Sequence, residues 1–458
     1  MTEILEKLNT LVWGMPALLG ILGVGLYLTI RTGFVQLRLF PEAMARFLRM
    51  CRGRDKSSFQ SFCTALGATV GTGNLIGVAG ALCLGGPGSI FWMWVCGFLG
   101  MATKYSEAVL AVRYRVREEG ELLGGPMYFI NRGLGERWQW MAVLYCFFGI
   151  TASLGVGNST QINAIITALG KYTCFAGTAG NLILSLGLAV LVGMMLHGGT
   201  KGIGALAEKL VPLASLGYIG LCVLVLILRF DRVGEAFRSI LQGAFSPKAV
   251  TGGMLGSAFG ALRVGCARGV FTNEAGMGTA GIAHGSAEVK HPAEQGMMGI
   301  LEVFFDTIVI CTMTALVILV SGETIPYGTD GGGTLTALAL VRVVGPWAEA
   351  ALAVCICCFA LATVLGWGFY GLRCTRFLLG KEYERYFLWL QMGASFVGGV
   401  LKTGTVWQLA EIVNGLMAFP NLIALALLSG QVGAITETYT MENRLRFSCC
   451  SIIMKQNA

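Results

Sequence analysis

From about residue 10 to residue 430 the chain returns repeatedly to apolar runs long enough to cross a bilayer. Most are apolar all round and lack the polar face that a helix on a soluble core turns to water. With 55% hydrophobic and only 13% charged residues, the chain cannot cover that apolar surface as a large soluble enzyme would. The runs do not alternate every second residue, which excludes a closed β-barrel. What remains is an all-α polytopic membrane protein with the lipid bilayer as its solvent. Charge and turn residues divide it into eleven predicted helices, at 10–31, 58–84, 87–113, 138–169, 179–197, 203–229, 252–284, 296–321, 346–372, 385–401 and 405–430.

The net charge of +8 marks a side of the membrane and not a nucleic-acid surface, because the cations cluster between helices. Arg31, Arg38, Arg46, Arg49, Arg52, Arg54 and Lys56 fill the first loop, and Arg113, Arg115, Arg117, Arg132 and Arg137 the third. Both loops are expected in the cytoplasm, which places the N-terminus outside and the C-terminus inside. The connection with Arg229, Arg232, Arg238 and Lys248 then falls outside; Asp231 and Glu235 offset it, and it reads as a helix lying on the surface. Glu3 and Glu6 precede the first apolar run and no small-residue cleavage site follows it, so that run is expected to be a retained helix. The cysteines lie in apolar segments without paired metal spacing and read as packing residues. No HExxH, phosphate-binding GxxxxGK[ST] or nucleophile–base set is present, which argues against an enzyme or an ATP-driven pump, and nothing indicates an obligate protein partner.

Within this frame one stretch is anomalous. Residues 64–88, TALGATVGTGNLIGVAGALCLGGPG, are too apolar for a soluble loop and too glycine-rich for an unbroken helix. A helix that stops inside the membrane leaves N–H groups that attract a carboxylate and carbonyls that attract a cation. Setting aside the first helix leaves five plus five, and the second set opens with residues 252–284, interrupted by Gly265, Gly269, Gly276 and Gly278. Two glycine-broken helices at corresponding positions point to a secondary transporter built from inverted repeats. The divisions are 1–57 for the extra helix and its basic loop, 58–230 and 231–435 for the two repeats, and 436–458 for a cytoplasmic tail.

Charges inside the membrane are candidates for function. Lys104 and Glu107, three apart, read as a local pair. Glu302 and Asp306 share a helix face and are expected either to pair with Arg263 and Arg268 as a structural network or to form a protonatable relay. Asn158 to Asn163 is a polar run, read either as an interhelical network or, at Gln161 and Asn163, as a contact for a zwitterion. Thr363 and Trp367, four apart, offer a hydroxyl for a cation or carboxylate and a ring to close a small pocket.

Residues 61–94, SFCTALGATVGTGNLIGVAGALCLGGPGSIFWMW, with GMATKYSEAVLAVRYR and GGPMYFI after them, resemble the alanine or glycine:cation symporter family, the sodium:alanine symporters. So do RVGCARGVFTNEAGMGTAGIAH, EVFFDTIVICTMTALVILVSG and FALATVLGWGFYG. The resemblance runs from about residue 10 to 435 and implies a leucine-transporter-like fold, five plus five inverted helices with one extra, that moves a small neutral amino acid inward with Na⁺. It implies a substrate carboxylate at Thr72, Gly73 and Asn74, with Gln161 and Gly265 near the polar atoms and Thr363 and Trp367 closing the pocket. By analogy with the wider fold it implies Na⁺ between the carbonyls of Gly67, Val70 and Phe359 and Thr363. One departure stands out: Ala362 replaces the usual hydroxyl residue, which is expected to weaken Na⁺ binding or to leave room for H⁺ coupling. The alternatives are a proton-coupled or broader-specificity amino-acid transporter, or a transporter-like sensor, for which the residues after Gly430 are too few to form a signalling domain.

Overall fold

The computed structural model describes residues 12–170, 177–245, 258–329, 332–400 and 404–456. Glu3, Glu6, Lys248 and the expected helix start at 252–257 lie outside them. Among the described residues seven helices are long and apolar enough to span a membrane, and eight if a pair bent by 47° is one span. The chain is a multi-pass helical bundle, but by that measure the count stops short of the expected eleven.

The first helix, α1, is Met15–Arg31. The basic loop after it folds as α2, Phe40–Cys51, with Ala43 and Met50 on its buried face. Phe47 of α2 packs against Phe62 and Phe305, with ring centroids 5.5 and 5.0 Å apart. Asp55 caps α3, Lys56–Thr69, through the Ser58 N–H. After the break comes α4, Gly73–Gly85, and then α5, Gly88–Arg113. The core is built around α5: 83% of its apolar window is buried, against 33% for α7, Thr178–His197, and α8, Gly199–Leu228. The latter two expose Leu182, Ile183, Leu186, Leu213, Leu216 and Ile227, as helices facing hydrocarbon do. Between α5 and α7 in order lies α6, Glu136–Leu169, with a π turn at Gly155–Ser159.

Beyond α8, the mixed-charge connection forms α9, Phe230–Phe245. The second broken helix is α10, Ala258–Asn273, and α11, Thr279–His284. The remaining elements are α12, Pro292–Ser321; α13, Gly332–Val344; α14, Trp347–Leu379; α15, Glu384–Val400; and α16, Gly404–Gln456. The last is one helix of 53 residues and runs on through most of the expected tail. Sequence reading missed α13, whose run is short for a span. It lies on α4: a Cβ at Gly332 would come 2.5 Å from the Gly80 nitrogen, and Thr336 donates to the Leu75 carbonyl at 3.0 Å.

Two expectations about the second broken helix need correction. Gly265 and Gly269 do not interrupt it, since α10 is continuous through both. They are packing positions: a Cβ at Gly265 would lie 2.2 Å from the Ser89 carbonyl oxygen, and one at Gly269 would lie 3.1 Å from Cys96 Cβ, both on α5. Nor do Arg263 and Arg268 pair with Glu302 and Asp306. In an unbroken helix they point about 140° apart; Arg263 is exposed, Arg268 half-buried, and neither forms an ion pair among the described residues.

The acids are held from elsewhere. Fully buried Lys104 on α5 donates to Glu302 Oε1 at 2.8 Å and leaves Glu107 to other partners. Glu302 Oε2 meets His284 Nε2 at 3.0 Å, and Gln295 meets His284 Nδ1 at 2.8 Å. His284, the last residue of α11, is therefore buried in this chain of contacts. Asp306 takes Asn74 Nδ2 at 2.6 Å and the Thr307 hydroxyl at 2.8 Å.

At the end of the bundle that carries the basic loops, strands β1, Val116–Glu118, and β2, Glu121–Leu123, form a hairpin through Glu119 and Gly120, both at positive φ. Glu121 accepts from Arg373 at 2.9 Å and Arg376 at 2.6 Å on α14, while Arg115 donates to the Ala287 and Val289 carbonyls. Burial works against the charge of Glu121, but the two arginines outweigh it and hold its carboxyl below the usual range.

Two stability measurements follow from this packing. Gly265→Ala forces a methyl against backbone and is expected to destabilise the detergent-solubilised protein by about 1–3 kcal/mol, whereas Gly23→Ala, with nothing within 4 Å, leaves the melting temperature unchanged. Lys104→Met strands Glu302 without its cation and is expected to cost about 3–5 kcal/mol in the same assay, with Lys104→Met/Glu302→Gln recovering most of it.

Candidate functional site

The two helix breaks face the same interior region, and each is built so that its exposed backbone is met by a side chain. At the first, α3 ends at Thr69 and Val70 turns extended, with ψ 100°. The Gly71 N–H donates to Asn74 Oδ1 at 2.9 Å, and the other side of the Asn74 amide reaches Asp306. Asn74 therefore bridges the break to α12.

Several expected site residues converge here. Thr72 Oγ1 donates to Gln161 Oε1 at 3.1 Å, and Thr363 Oγ1 donates to the Gly67 carbonyl at 3.1 Å. A Cβ at Gly71 would lie 2.7 Å from Thr363 Oγ1 and 3.8 Å from Gln161 Oε1, so α3, α6 and α14 meet at this glycine. Gly73 abuts Phe271 and Thr272 at the end of α10. Ala362 sets its methyl against Gly67, 3.3 Å from where a Cβ would stand. Val70 and Phe359 are both buried, and the Phe359 ring turns to Tyr218. Of the expected substrate contacts, Gly265 is placed elsewhere, pressed against Ser89 by the close approach of α10 to α5, and Trp367 lies at the second break, bonded to Glu274.

The polar run on α6 divides its work. Asn158 and Ser159 bond to α15, at the Gln391 and Ala394 carbonyls, both at 2.8–2.9 Å, and Asn163 donates to the Gly398 carbonyl. Those three belong to an interhelical network, while Gln161 points to Thr72.

The second break spans residues 274–278, with Glu274, Gly276 and Gly278 all at positive φ. The Gly276 and Gly278 N–H groups donate to Glu107 Oε1 at 2.9 and 3.1 Å, and Asn421 Nδ2 donates to the same oxygen at 2.8 Å. Glu274 Oε2 takes the Thr279 hydroxyl at 2.7 Å, and its Oε1 takes the indole N–H of Trp367 at 3.1 Å. Trp367 itself is buried against α6, where a Cβ at Gly157 would lie 2.2 Å from Trp367 Cβ. Sequence reading passed over Glu274 and took Glu107 for a partner of Lys104. The signal for Glu274 was an acid inside an apolar segment and beside the glycines of the break.

From the basic end a cavity of about 540 Å³ enters between these elements, lined among others by Lys56, Ser61, Thr64, Glu121, Phe369 and Arg373. Thr64 precedes Gly67 by one turn, and Phe369 follows Trp367 by two residues. A vestibule with charged and hydroxyl residues at its mouth thus reaches to within about two turns of the first break.

The chain has counterparts among known proteins in both fold and sequence. In fold, the chain is similar to the crystal structure of MhsT in complex with L-phenylalanine, with a TM-score of 0.55 over 83% of this chain and 97% of that one at 16% identity; the likeness shows a leucine-transporter-like fold. In sequence, it is 39% identical to the sodium/alanine symporter AgcS of Methanococcus maripaludis, over 95% of this chain and 97% of the relative. It is 38% identical to the probable sodium/glutamine symporter GlnT of Bacillus subtilis, over 97% and 92%. The model of the sodium:alanine symporter family matches residues 1–448, and with relatives at these identities the chain belongs to that family of amino-acid transporters.

Proposed function

We propose that the chain imports alanine, glycine and similarly small neutral amino acids with Na⁺, by alternating access around the first helix break. The observation that carries this reading is the convergence at Gly71, where Thr72 with Gln161 and Gly67 with Thr363 are each joined at 3.1 Å. Inside a bilayer the N–H end of a half-helix favours an anion and its carbonyl end a cation. The substrate carboxylate then lies at Thr72, Gly73 and Asn74, read by backbone N–H groups and the Thr72 hydroxyl, because the Asn74 amide is already engaged. Gln161, which both donates and accepts, meets the polar atoms of the amino acid. Na⁺ takes the carbonyls of Gly67, Val70 and Phe359 and the Thr363 hydroxyl, which turns from the Gly67 carbonyl to aim a lone pair at the ion.

Size selection has a physical basis in the same residues. Gly71 has no room for a Cβ, and Trp367 fills the space beside Gly157, so the walls admit a small side chain. The relatives include one named for alanine and one for glutamine, and competition of labelled alanine uptake by glycine and glutamine measures where this chain stands. Residues 58–230 and 231–435 act as the two inverted repeats, the first opening with a broken helix and the second reaching its own after α9. With the N-terminus outside and the C-terminus in the cytoplasm, the vestibule at the basic end is the path of release inward.

The Ala362 methyl beside Gly67 supports a second reading of the coupling ion. It removes one oxygen from a site that a hard cation fills with oxygens, which favours either a high Na⁺ requirement or H⁺ in its place.

In proteoliposomes the protein is expected to accumulate labelled alanine under an inward Na⁺ gradient and to stop when choline replaces Na⁺. Uptake indifferent to that exchange but driven by an inward proton gradient would assign the coupling to H⁺. No uptake of any small neutral amino acid would overturn the function. In the same assay Thr363→Ala is expected to raise half-saturating Na⁺ about tenfold, a loss near 1.4 kcal/mol, and Ala362→Ser to lower it. Equal Na⁺ dependence in both variants and the wild type would remove the ion from this position.

A further inference from the structure

We propose that Glu274 is a positioning residue that anchors the Trp367 indole and thereby sets the size limit of the substrate pocket. The inference rests on the reading above in which Trp367 walls that pocket.

Glu274 is the residue at which α10 stops. Its N–H closes the helix on the Val270 carbonyl at 2.8 Å, and its φ of 53° places a non-glycine residue in the left-handed region, which costs backbone energy. That conformation directs the side chain into the interior, where the residue is 4% exposed. The carboxyl there accepts from two neutral donors, the Thr279 hydroxyl and the Trp367 indole N–H, and forms no ion pair among the described residues. Burying a carboxyl on neutral donors is a poor way to gain stability, because an apolar residue or an amide would avoid the desolvation cost.

A capping role does not account for it. The open N–H groups of the break, at Gly276 and Gly278, are already met by Glu107. Glu274 instead joins two elements of the transport core, the broken helix α10–α11 and the continuous helix α14. An indole nitrogen only donates, so the ring can satisfy its N–H in this dry region only by facing an acceptor, and Glu274 Oε1 is the acceptor it faces. The body of the ring rests on Gly157 of α6, four residues before Gln161. Packing on one side and the hydrogen bond on the other leave the ring one orientation. When the broken helix shifts against α14 during transport, Glu274 carries the edge of the ring with it.

The test is the selectivity of uptake, measured as the concentration of leucine needed to inhibit labelled alanine uptake, relative to that of alanine itself. Glu274→Ala removes the acceptor and is expected to reduce the preference for alanine about tenfold, the change expected when a pocket loses a fixed wall. Trp367→Phe keeps a ring but removes the N–H, and is expected to reduce it by a similar factor. Combined, the two changes should do no more than either alone, because both delete the same bond. Glu274→Gln keeps an oxygen for the indole and a donor for Thr279, so it is expected to retain wild-type selectivity. Selectivity unchanged in Glu274→Ala, additive effects in the double variant, or loss of selectivity in Glu274→Gln would each overturn the anchoring role. Should Glu274→Ala not survive purification, the contrast between Trp367→Phe and Glu274→Gln decides the matter: reduced selectivity in the first and wild-type selectivity in the second sustains the anchor, and any other pairing rejects it. Trp367→Ala separates the two levels. If it leaves selectivity intact, Trp367 is not a wall and the pocket reading fails; if it changes selectivity while Glu274→Ala does not, only the anchor fails.

Discussion

In a hydrocarbon medium every backbone N–H and carbonyl has to find a partner within the protein, and this molecule interrupts two helices in its interior. Each interruption is paid for by a side chain from another helix. Asn74 takes the Gly71 N–H and is in turn fastened to Asp306. Glu107 takes the N–H groups of Gly276 and Gly278 and is steadied by Asn421. The close packing of the bundle follows from the same need, because Glu107 can reach the second break only if α5 and α10 lie nearly in contact, and Gly265 and Gly269 make that approach possible. The central position of α5 thus connects the stability of the core to the geometry of the site.

Much of this was legible in the sequence, and the part that was not has an identifiable cause. Hydropathy located the helices, since the need to bury or face lipid acts on long runs, and the first break was announced by Gly71 and Gly73 within one of them. Gln161 stood out in a polar run, and Thr363 with Trp367 as a hydroxyl and a ring four apart in apolar surroundings, whereas Thr72 came from the family resemblance. The second break was drawn too wide because glycine serves two ends: at 276 and 278 it permits positive φ, whereas at 265 and 269 it permits contact. Spacing along one helix cannot tell these apart. Partners across helices were also illegible. Lys104 and Glu107 are neighbours on one helix, but Lys104 reaches Glu302 on another, a fact of interhelical register. The helix at 332–344 and the hairpin at 116–123 were missed because they are too short for a hydropathy window.

The polar interior therefore has two kinds of members. Lys104, Glu302, His284 and Gln295 form a chain in which each side chain meets the next, as structural networks do. Around Gly71 and Trp367, by contrast, the hydrogen bonds join elements that an alternating-access cycle has to move: the broken helices on one side, α6 and α14 on the other. Ala362 lies on this second set, with its methyl against Gly67 where a serine would set a hydroxyl.

The central claim is that ion and amino acid share the region around Gly71, so that each must raise the affinity for the other by the same factor. Titration calorimetry of the purified protein with alanine, in NaCl and in choline chloride at equal ionic strength, tests it most directly. The account predicts tighter alanine binding in Na⁺, with half-saturating Na⁺ falling by the matching factor when alanine is present. Equal alanine affinity in the two salts would contradict it.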